Sequence, residues 1–405
     1  MDVGSRLDTM QLTGYPRRMS ERFDSATKDR QTNPTLAATV TPLASIFGSG
    51  FLIIVPILAG SVGPWSVLAM AGVCMLAYLV GEVIRFNIRY AEPVLDQSPS
   101  EWTLSFERAS DLALVLAYVI SVCLYLHILS AFVLGGAGLD TGINEDLLTT
   151  TIIVVITLIG VVRGLGMLEA LESWSLYATF LIIALLLAGF AVHDWNAWQS
   201  PKGIIWPDMP QHTAWNILTV VAGTLIVVQG FETPRYLGEE FDAHTRVRAS
   251  RYSQMISTAV YLAFVALAMP VVHTLAGNFG DNSLIKLATA MTPLLLLPVV
   301  AAAALSQFSA AVADTLAATG NMEEVTHRHI KERAGYIIIG AGAVALTWSA
   351  DTFEIVAFAS RAFAFYYLLQ CLVAMSVSRG LWQRAGFLLV AGLLGFVAVF
   401  AVPAG

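Results

Sequence analysis

Thr35-Leu-Ala-Ala-Thr-Val-Thr-Pro-Leu-Ala-Ser-Ile-Phe-Gly-Ser-Gly-Phe-Leu-Ile-Ile-Val-Pro56 is apolar along its length, yet Gly48-Ser49-Gly50 sits at its middle. A helix crosses the hydrocarbon of a bilayer with about 20 mostly apolar residues. Two glycines around a serine are poor material for such a helix. In lipid, unwound backbone survives only where it is buried in protein or lines a cavity. The stretch therefore predicts a membrane span made of two halves with a site at the break. The other use of Gly48 and Gly50 is close packing between helices. A second apolar segment carries a similar interruption, Gln229-Gly230-Phe231-Glu232-Thr233-Pro234. Gln229 and Glu232 are expensive in lipid and face an interior. Pro234 removes an amide and favours a break just before it.

The rest of the chain has the composition of a polytopic membrane protein. Of 405 residues, 57% are hydrophobic and 13% charged, against about 25% charged in a soluble domain. About eleven apolar stretches suit crossing helices, at roughly 35–60, 65–86, 109–135, 147–163, 171–192, 214–238, 252–276, 286–319, 334–350, 353–377 and 384–403. The eighth is long enough to be strongly tilted or to hide a short extra helix at its start. With the amino terminus inside, the inside connections hold Arg85, Arg89 and Arg108, then Arg163, then Arg235, Arg246, Arg248 and Arg251, then Arg328, Lys331 and Arg333, then Arg379 and Arg384. The outside connections hold almost no basic residues, as the positive-inside rule requires. This places the amino terminus in the cytoplasm and the carboxyl terminus outside, in what we read as a bacterial inner membrane. Residues 1–34 read as a cytoplasmic tail, without the apolar stretch of a signal peptide. Residues 35–405 read as one transmembrane domain. Cys74, Cys123 and Cys371 lie far apart in apolar runs and form no disulfide or metal spacing.

The two interrupted spans are the first and the sixth. They correspond if spans 1–5 and 6–10 are inverted repeats with the eleventh appended. Broken helices at matched positions of two halves mark a transporter's midplane site. Freed amides at Ser49, Gly50 and Phe51 would start a half-helix and attract an anionic group such as a carboxylate. The Gly48-Ser49-Gly50 break resembles the first helix of the amino acid–polyamine–organocation superfamily. Gly230-Phe231-Glu232-Thr233, with Tyr236-Leu237 and Glu239-Glu240 beyond, is similar to that superfamily's sixth helix. The resemblance implies the LeuT-type 5+5 fold and an amino acid or amine bound between helices one and six. It further implies Gly48, Ser49 and Gly50 as the carboxylate cradle, with Ser45, Gln229 and Gly230 beside it. Phe231 would be a gate over the substrate, and Glu232 a coupling or gating acid. Pro234 and Arg235 depart from the superfamily's pattern.

Span eight contains Ala311-Val312-Ala313-Asp314-Thr315, similar to the stretch that supplies oxygens to sodium in sodium-coupled members of that fold. A hard cation takes oxygen ligands, and a carboxylate strengthens the site. The expected sodium site joins Ala311, Asp314 and Thr315 to backbone carbonyls from Ala44 to Phe47. Without a metal ion, Asp314 would carry a proton, or be hydrated or paired near the inner surface. Arg361, about eight residues into span ten, is expected to pair with Glu232, Glu354 or Asp314, to snorkel outward, or to bind substrate. His127 is a candidate proton shuttle or a hydrogen-bonded packing residue. Tyr118 and Tyr125, seven apart on one helical face, line the pathway or the core. Glu82 and Arg85 read as a local ion pair or inner-gate contact.

These observations predict a secondary active transporter of an amino acid or related small organic solute, coupled to sodium or protons. Access would alternate as spans 1, 2, 6 and 7 rock against spans 3, 4, 8 and 9. The alternative on the same fold is an inorganic-cation transporter. An enzyme is not expected, because no His-Glu-x-x-His, Gly-x-Ser-x-Gly or paired metal-ligand spacing occurs. No cofactor and no nucleic-acid partner are expected; the partners are the solute or ion and the bilayer.

Overall fold

The computed structural model describes residues 33–48, 50–97, 99–165, 170–201 and 203–404. Residues 1–32 of the expected tail (1–34) and Ser49 lie outside the described residues, and the tail's last residue, Pro34, opens the first helix. The described residues form helices and connecting turns, with no strand among them. We number the helices α1 (Pro34–Gly48), α2 (Ile54–Val62), α3 (Ser66–Phe86), α4 (Glu101–Ala137), α5 (Gly142–Arg163), α6 (Ala170–Gln199), α7 (Ala214–Ala222), α8 (Ala243–Ala268), α9 (Ser283–Met291), α10 (Leu296–Val325), α11 (Glu332–Thr347), α12 (Thr352–Val377) and α13 (Leu381–Phe400). Their starts are set by local chemistry. Ser100, Thr213 and Asp242 each accept a hydrogen bond from the amide three residues on. Asp351 and Glu354 make a reciprocal capping box at the start of α12. Such caps satisfy amides that a helix leaves open.

Helix stands in each of the eleven expected stretches. Among the described residues, eight stretches meet the length and apolarity of a crossing helix, or nine when α7 and Leu225–Leu237, bent by 42°, count as one span. The shortfall from eleven has a geometric reason. The 15 residues of α1 and the 16 of α11 rise about 1.5 Å each, short of a core about 30 Å thick. The extra helix at the start of the eighth stretch is α9.

Burial shows which helices are central. In the most apolar window of α4, 78% of residues are buried, against 22% in α5 and in α13. Helix α4 packs along α10 and α12, while α5 and α11 pack on each other outside that core. Helix α8 packs against α1 and α3, and α13 lies on α12. Spans one, two and seven thus form one packed group, and spans three, four, eight and nine another. Trp65, Trp102, Trp195, Trp198, Trp206 and Trp382 are all exposed, as residues of an interfacial belt are.

Candidate functional site

Both expected breaks are present, and they meet. Helix α1 stops at Gly48 and α2 starts at Ile54. The backbone turns at Gly50, whose φ is +132°, and Ile53 N–H donates to Gly50 O at 3.1 Å. The half-helix expected to begin at Ser49–Phe51 therefore begins at Ile54, because the chain spends Gly50–Ile53 on a turn. Span six ends its first helix at Ala222, makes a 3-10 turn over Leu225–Val228, and passes Gly230 at φ +125° before a second turn, Thr233–Leu237. A Cβ on Gly230 would lie 2.6 Å from Ile46 N and from Ser45 Oγ. A Cβ on Gly50 would lie 3.2 Å from Val227 Cγ2. The glycines are required by a positive φ and by the close approach of one broken span to the other.

Side chains from other helices hold the unwound groups. The Tyr261 hydroxyl of α8 lies 3.0 Å from Ile46 O and 2.6 Å from Val227 O, so one group faces a carbonyl of each break. Gln307 of α10 donates to Gly48 O at 3.2 Å. Ser360 of α12 donates to Gly223 O at 2.6 Å and accepts from Ile226 N–H at 3.0 Å. Phe47, Phe51, Phe231, Tyr261 and Tyr367 fill the neighbouring space and are almost fully buried. Phe231 stacks on Tyr367 at 5.2 Å between ring centres. The arrangement is a closed one.

Two carboxylates sit beside the breaks. Glu232 is fully buried. It accepts from Gly230 N–H at 3.0 Å, from Tyr367 Oη at 2.8 Å and from Gln229 Nε2. Asp314 of α10 accepts from Ser121 Oγ, with Tyr125 as a further partner. Tyr118, Ser121 and Tyr125 lie at helical spacing along α4, so the expected tyrosine face holds a serine that reading the sequence missed. The two acids are within electrostatic reach of each other. No arginine or lysine makes an ion pair with either among the described residues.

Other expected residues lie elsewhere. Thr315 donates to Ala311 O at 2.6 Å within its own helix. It lines a small void of about 10 Å³ with Val122, Ile153 and Ile339, so its neighbours are α4, α5 and α11. Ala44 lies within α1, and the Ile46 carbonyl faces Tyr261. No cluster of three metal-ligating side chains occurs among the described residues. Arg361 pairs with no acid among the described residues: it donates to Ala401 O at 2.8 Å and Val399 O at 3.2 Å, at the carboxyl end of α13. A helix end gathers carbonyls and negative dipole, which satisfies a cation without a carboxylate. His127 is buried on α4, and its Nε2 makes no hydrogen bond among the described residues.

Both ends of the molecule are tied shut around the breaks. At the arginine-rich end, Arg235 pairs with Glu107 at 2.5 Å and also donates to Gln370. Arg246 grips both oxygens of Glu92, at 2.6 and 3.0 Å. Arg235, the departure from the superfamily pattern, thus joins span six to α4 and α12. Glu82 and Arg85 form the expected ion pair at 3.1 Å. At the opposite end, Asn282 donates to Asp140 at 2.9 Å and Thr352 to Asp281 at 2.7 Å. Burial holds the Asp281 carboxyl above the ordinary carboxylate range, partly offset by the Thr352 hydrogen bond.

Paired interrupted helices around a closed centre, in an all-helical bundle, define a LeuT-type transporter fold. Solved structures agree at the level of fold. A mutant of the Eremococcus coleocola manganese transporter matches with a TM-score of 0.55 at 11% identity, covering 90% of this chain and 85% of that one. Mhp1, a nucleobase-cation-symport-1 family transporter in a closed conformation with bromovinylhydantoin bound, matches with a TM-score of 0.54 at 12% identity, covering 91% and 93%. Residues 28–401 match the family described as APC superfamily transporters, and the chain belongs to that superfamily. An uncharacterized protein of Aquifex aeolicus (strain VF5) is 40% identical over 369 residues, 89% of each chain.

Proposed function

We propose that the chain is a secondary active transporter of a small organic solute carrying an amino group, an amino acid or related amine, driven by sodium or protons through alternating access. The observation that carries this reading is the meeting of two broken helices beside Glu232 and Asp314, neither of which has a cationic partner among the described residues. A fully buried carboxylate and a half-buried one within electrostatic reach of each other are unfavourable unless a positive charge joins them. A coupling cation or proton at Asp314 and an amino group at Glu232 supply that charge. The turn at Gly50 and the start of α2 then face the solute's carboxylate. The surrounding aromatic rings suit an organic solute and add cation–π attraction for an amine. An inorganic cation, the alternative, makes use of the acids but not of the aromatic surround.

The two packed groups described above support alternating access. In this reading the arginine-rich end is cytoplasmic, in a bacterial inner membrane. Opening there separates Arg235 from Glu107, while opening at the other end lifts α9 and its loop from Asp140 and Thr352. The test is uptake into proteoliposomes under imposed sodium or pH gradients, with labelled amino acids, amines and a divalent metal ion offered separately. We expect gradient-driven uptake of an organic amine, and loss of gradient dependence in Asp314→Asn. Gradient-driven uptake of the metal ion alone would overturn the substrate assignment. Unchanged coupling in Asp314→Asn would overturn the role of Asp314.

A further inference from the structure

At the arginine-rich end, away from the breaks, α3, α8 and α13 enclose a cavity of about 260 Å³. Arg85 and Arg89 on the α3 side and Arg251 on α8 line it, against a single acid, Glu82. Phe86 and Phe387, 4.9 Å apart between ring centres, supply an apolar wall. The site is built around Arg85, which is 2% exposed. Gln254 holds its Nη1 at 2.5 Å and Ser250 at 3.2 Å, while the Tyr78 carbonyl and Glu82 hold Nη2. A Cβ on Gly81 would lie 2.1 Å from Gln254 Oε1, so that glycine admits the clamp. Arg85 Nε is buried with no hydrogen-bond partner. Arg89 is exposed and makes no ion pair or hydrogen bond among the described residues.

The approach to the cavity is apolar and exposed. Met75 and Leu79 lie on the α3 face that carries Glu82 and Phe86. Met255 lies one turn above Arg251 on α8 and is also exposed. The two helices run antiparallel, with Gln254 donating to Ala77 O, so both apolar tracks lead away from the arginines in the same direction. Arginine suits phosphate oxygens by charge and by its planar fork of donors. A soluble phosphate compound has no use for the tracks; a phospholipid uses both parts.

We propose that this cavity binds the headgroup phosphate of an anionic phospholipid, with its acyl chains along Met75, Leu79 and Met255. Basic pockets between membrane helices bind acidic headgroups by this chemistry. This inference does not depend on the transported solute. The experiment is native mass spectrometry of the delipidated full chain titrated with phosphatidylglycerol or phosphatidylcholine. The expected result is one phosphatidylglycerol bound at least tenfold more tightly than phosphatidylcholine. Arg89→Ala with Arg251→Ala, which removes the Arg251–Glu82 pair at 3.3 Å but leaves Gln254, Ser250 and the Tyr78 carbonyl on Arg85, lowers that affinity tenfold or more. Glu82→Gln, which removes the competing acid, raises it. Equal binding of the two lipids, or undiminished binding in the double variant, overturns the proposal. Displacement of the lipid by glycerol phosphate at equal concentration overturns the role of the acyl tracks and assigns the site to a soluble phosphate.

Discussion

Replacing Tyr261 by Phe removes one oxygen atom from the point where the two broken spans meet. The ring stays, with its contacts to Phe47 and Phe51 at 5.9 and 5.4 Å, so packing is nearly conserved. What goes is the hydroxyl that faces Ile46 O and Val227 O. It has one hydrogen, and the shorter contact, to Val227, is the fuller bond. A net hydrogen bond contributes about 0.5–1.5 kcal/mol. At about 1.4 kcal/mol per tenfold, local opening of the closed arrangement should rise about twofold to tenfold. Backbone hydrogen exchange reads that opening directly. In purified Tyr261→Phe, peptides covering 45–53 and 224–233 should both exchange faster by this factor, while α13 is unchanged. The joint response is the critical feature, because one hydroxyl serves both breaks. Acceleration in only one of the two peptides, or in neither, would refute the claim that Tyr261 ties them together.

Gly230→Ala places a Cβ 2.6 Å from Ile46 N and forces a side chain into a positive φ, a strain of about 1–3 kcal/mol before the clash; uptake should fall at least tenfold, whereas Gly72→Ala, with nothing within 4 Å, should transport normally. Glu107→Gln removes the nearer of Arg235's two acids and leaves Glu92 at 4.0 Å, so the cost should fall below the about 3–5 kcal/mol of a buried charge left with no partner. A cysteine at Leu114, on the same face of α4 and buried, should then react at least tenfold faster with a water-soluble maleimide, and an unchanged rate would remove the pair from the gate. Arg361→Leu loses the cap on α13, worth up to about 2 kcal/mol, so the melting temperature should drop while uptake persists; lost uptake at unchanged stability would instead make Arg361 a substrate residue.

The breaks were legible because glycine, glutamate and proline are rare inside apolar runs, and each has a physical reason to interrupt a helix there. What holds the breaks was not. Tyr261, Gln307 and Ser360 lie far along the chain from the carbonyls they meet. Each reads locally as an ordinary residue of an apolar helix, although the polar Gln307 and Ser360 gave a faint signal. Arg361 left several readings open in the sequence, an acid partner among them; the half-buried side chain instead meets backbone carbonyls, which leave no mark in sequence. Thr315 followed the family pattern in sequence, yet it hydrogen-bonds within its own helix. Asp314 was found, but Ser121 was not, because a serine between two tyrosines is as compatible with packing as with a site.

The two closures differ in kind, and that difference bears on how the molecule cycles. At the arginine-rich end, opening must separate Arg235 from Glu107 and Arg246 from both oxygens of Glu92, and these side chains are mostly buried. At the opposite end the ties are a neutral amide on Asp140 and a hydroxyl on Asp281. A hydrogen bond with one charged partner contributes about 1.5–3 kcal/mol, and loses less on opening than a buried ion pair whose halves are parted. From this closed state the opposite end should therefore open more readily. Loading is then coupled to the harder opening through shared parts. Arg235 stands three residues beyond Glu232, on the same interrupted span. In the proposed cycle, a cation at Glu232 or Asp314 would change the field on the segment that carries Arg235. The acid and the arginine sit on one short piece of chain, with Glu232 capping the turn that carries Arg235 and Arg235 anchored on Glu107, so in the proposed cycle they would move together.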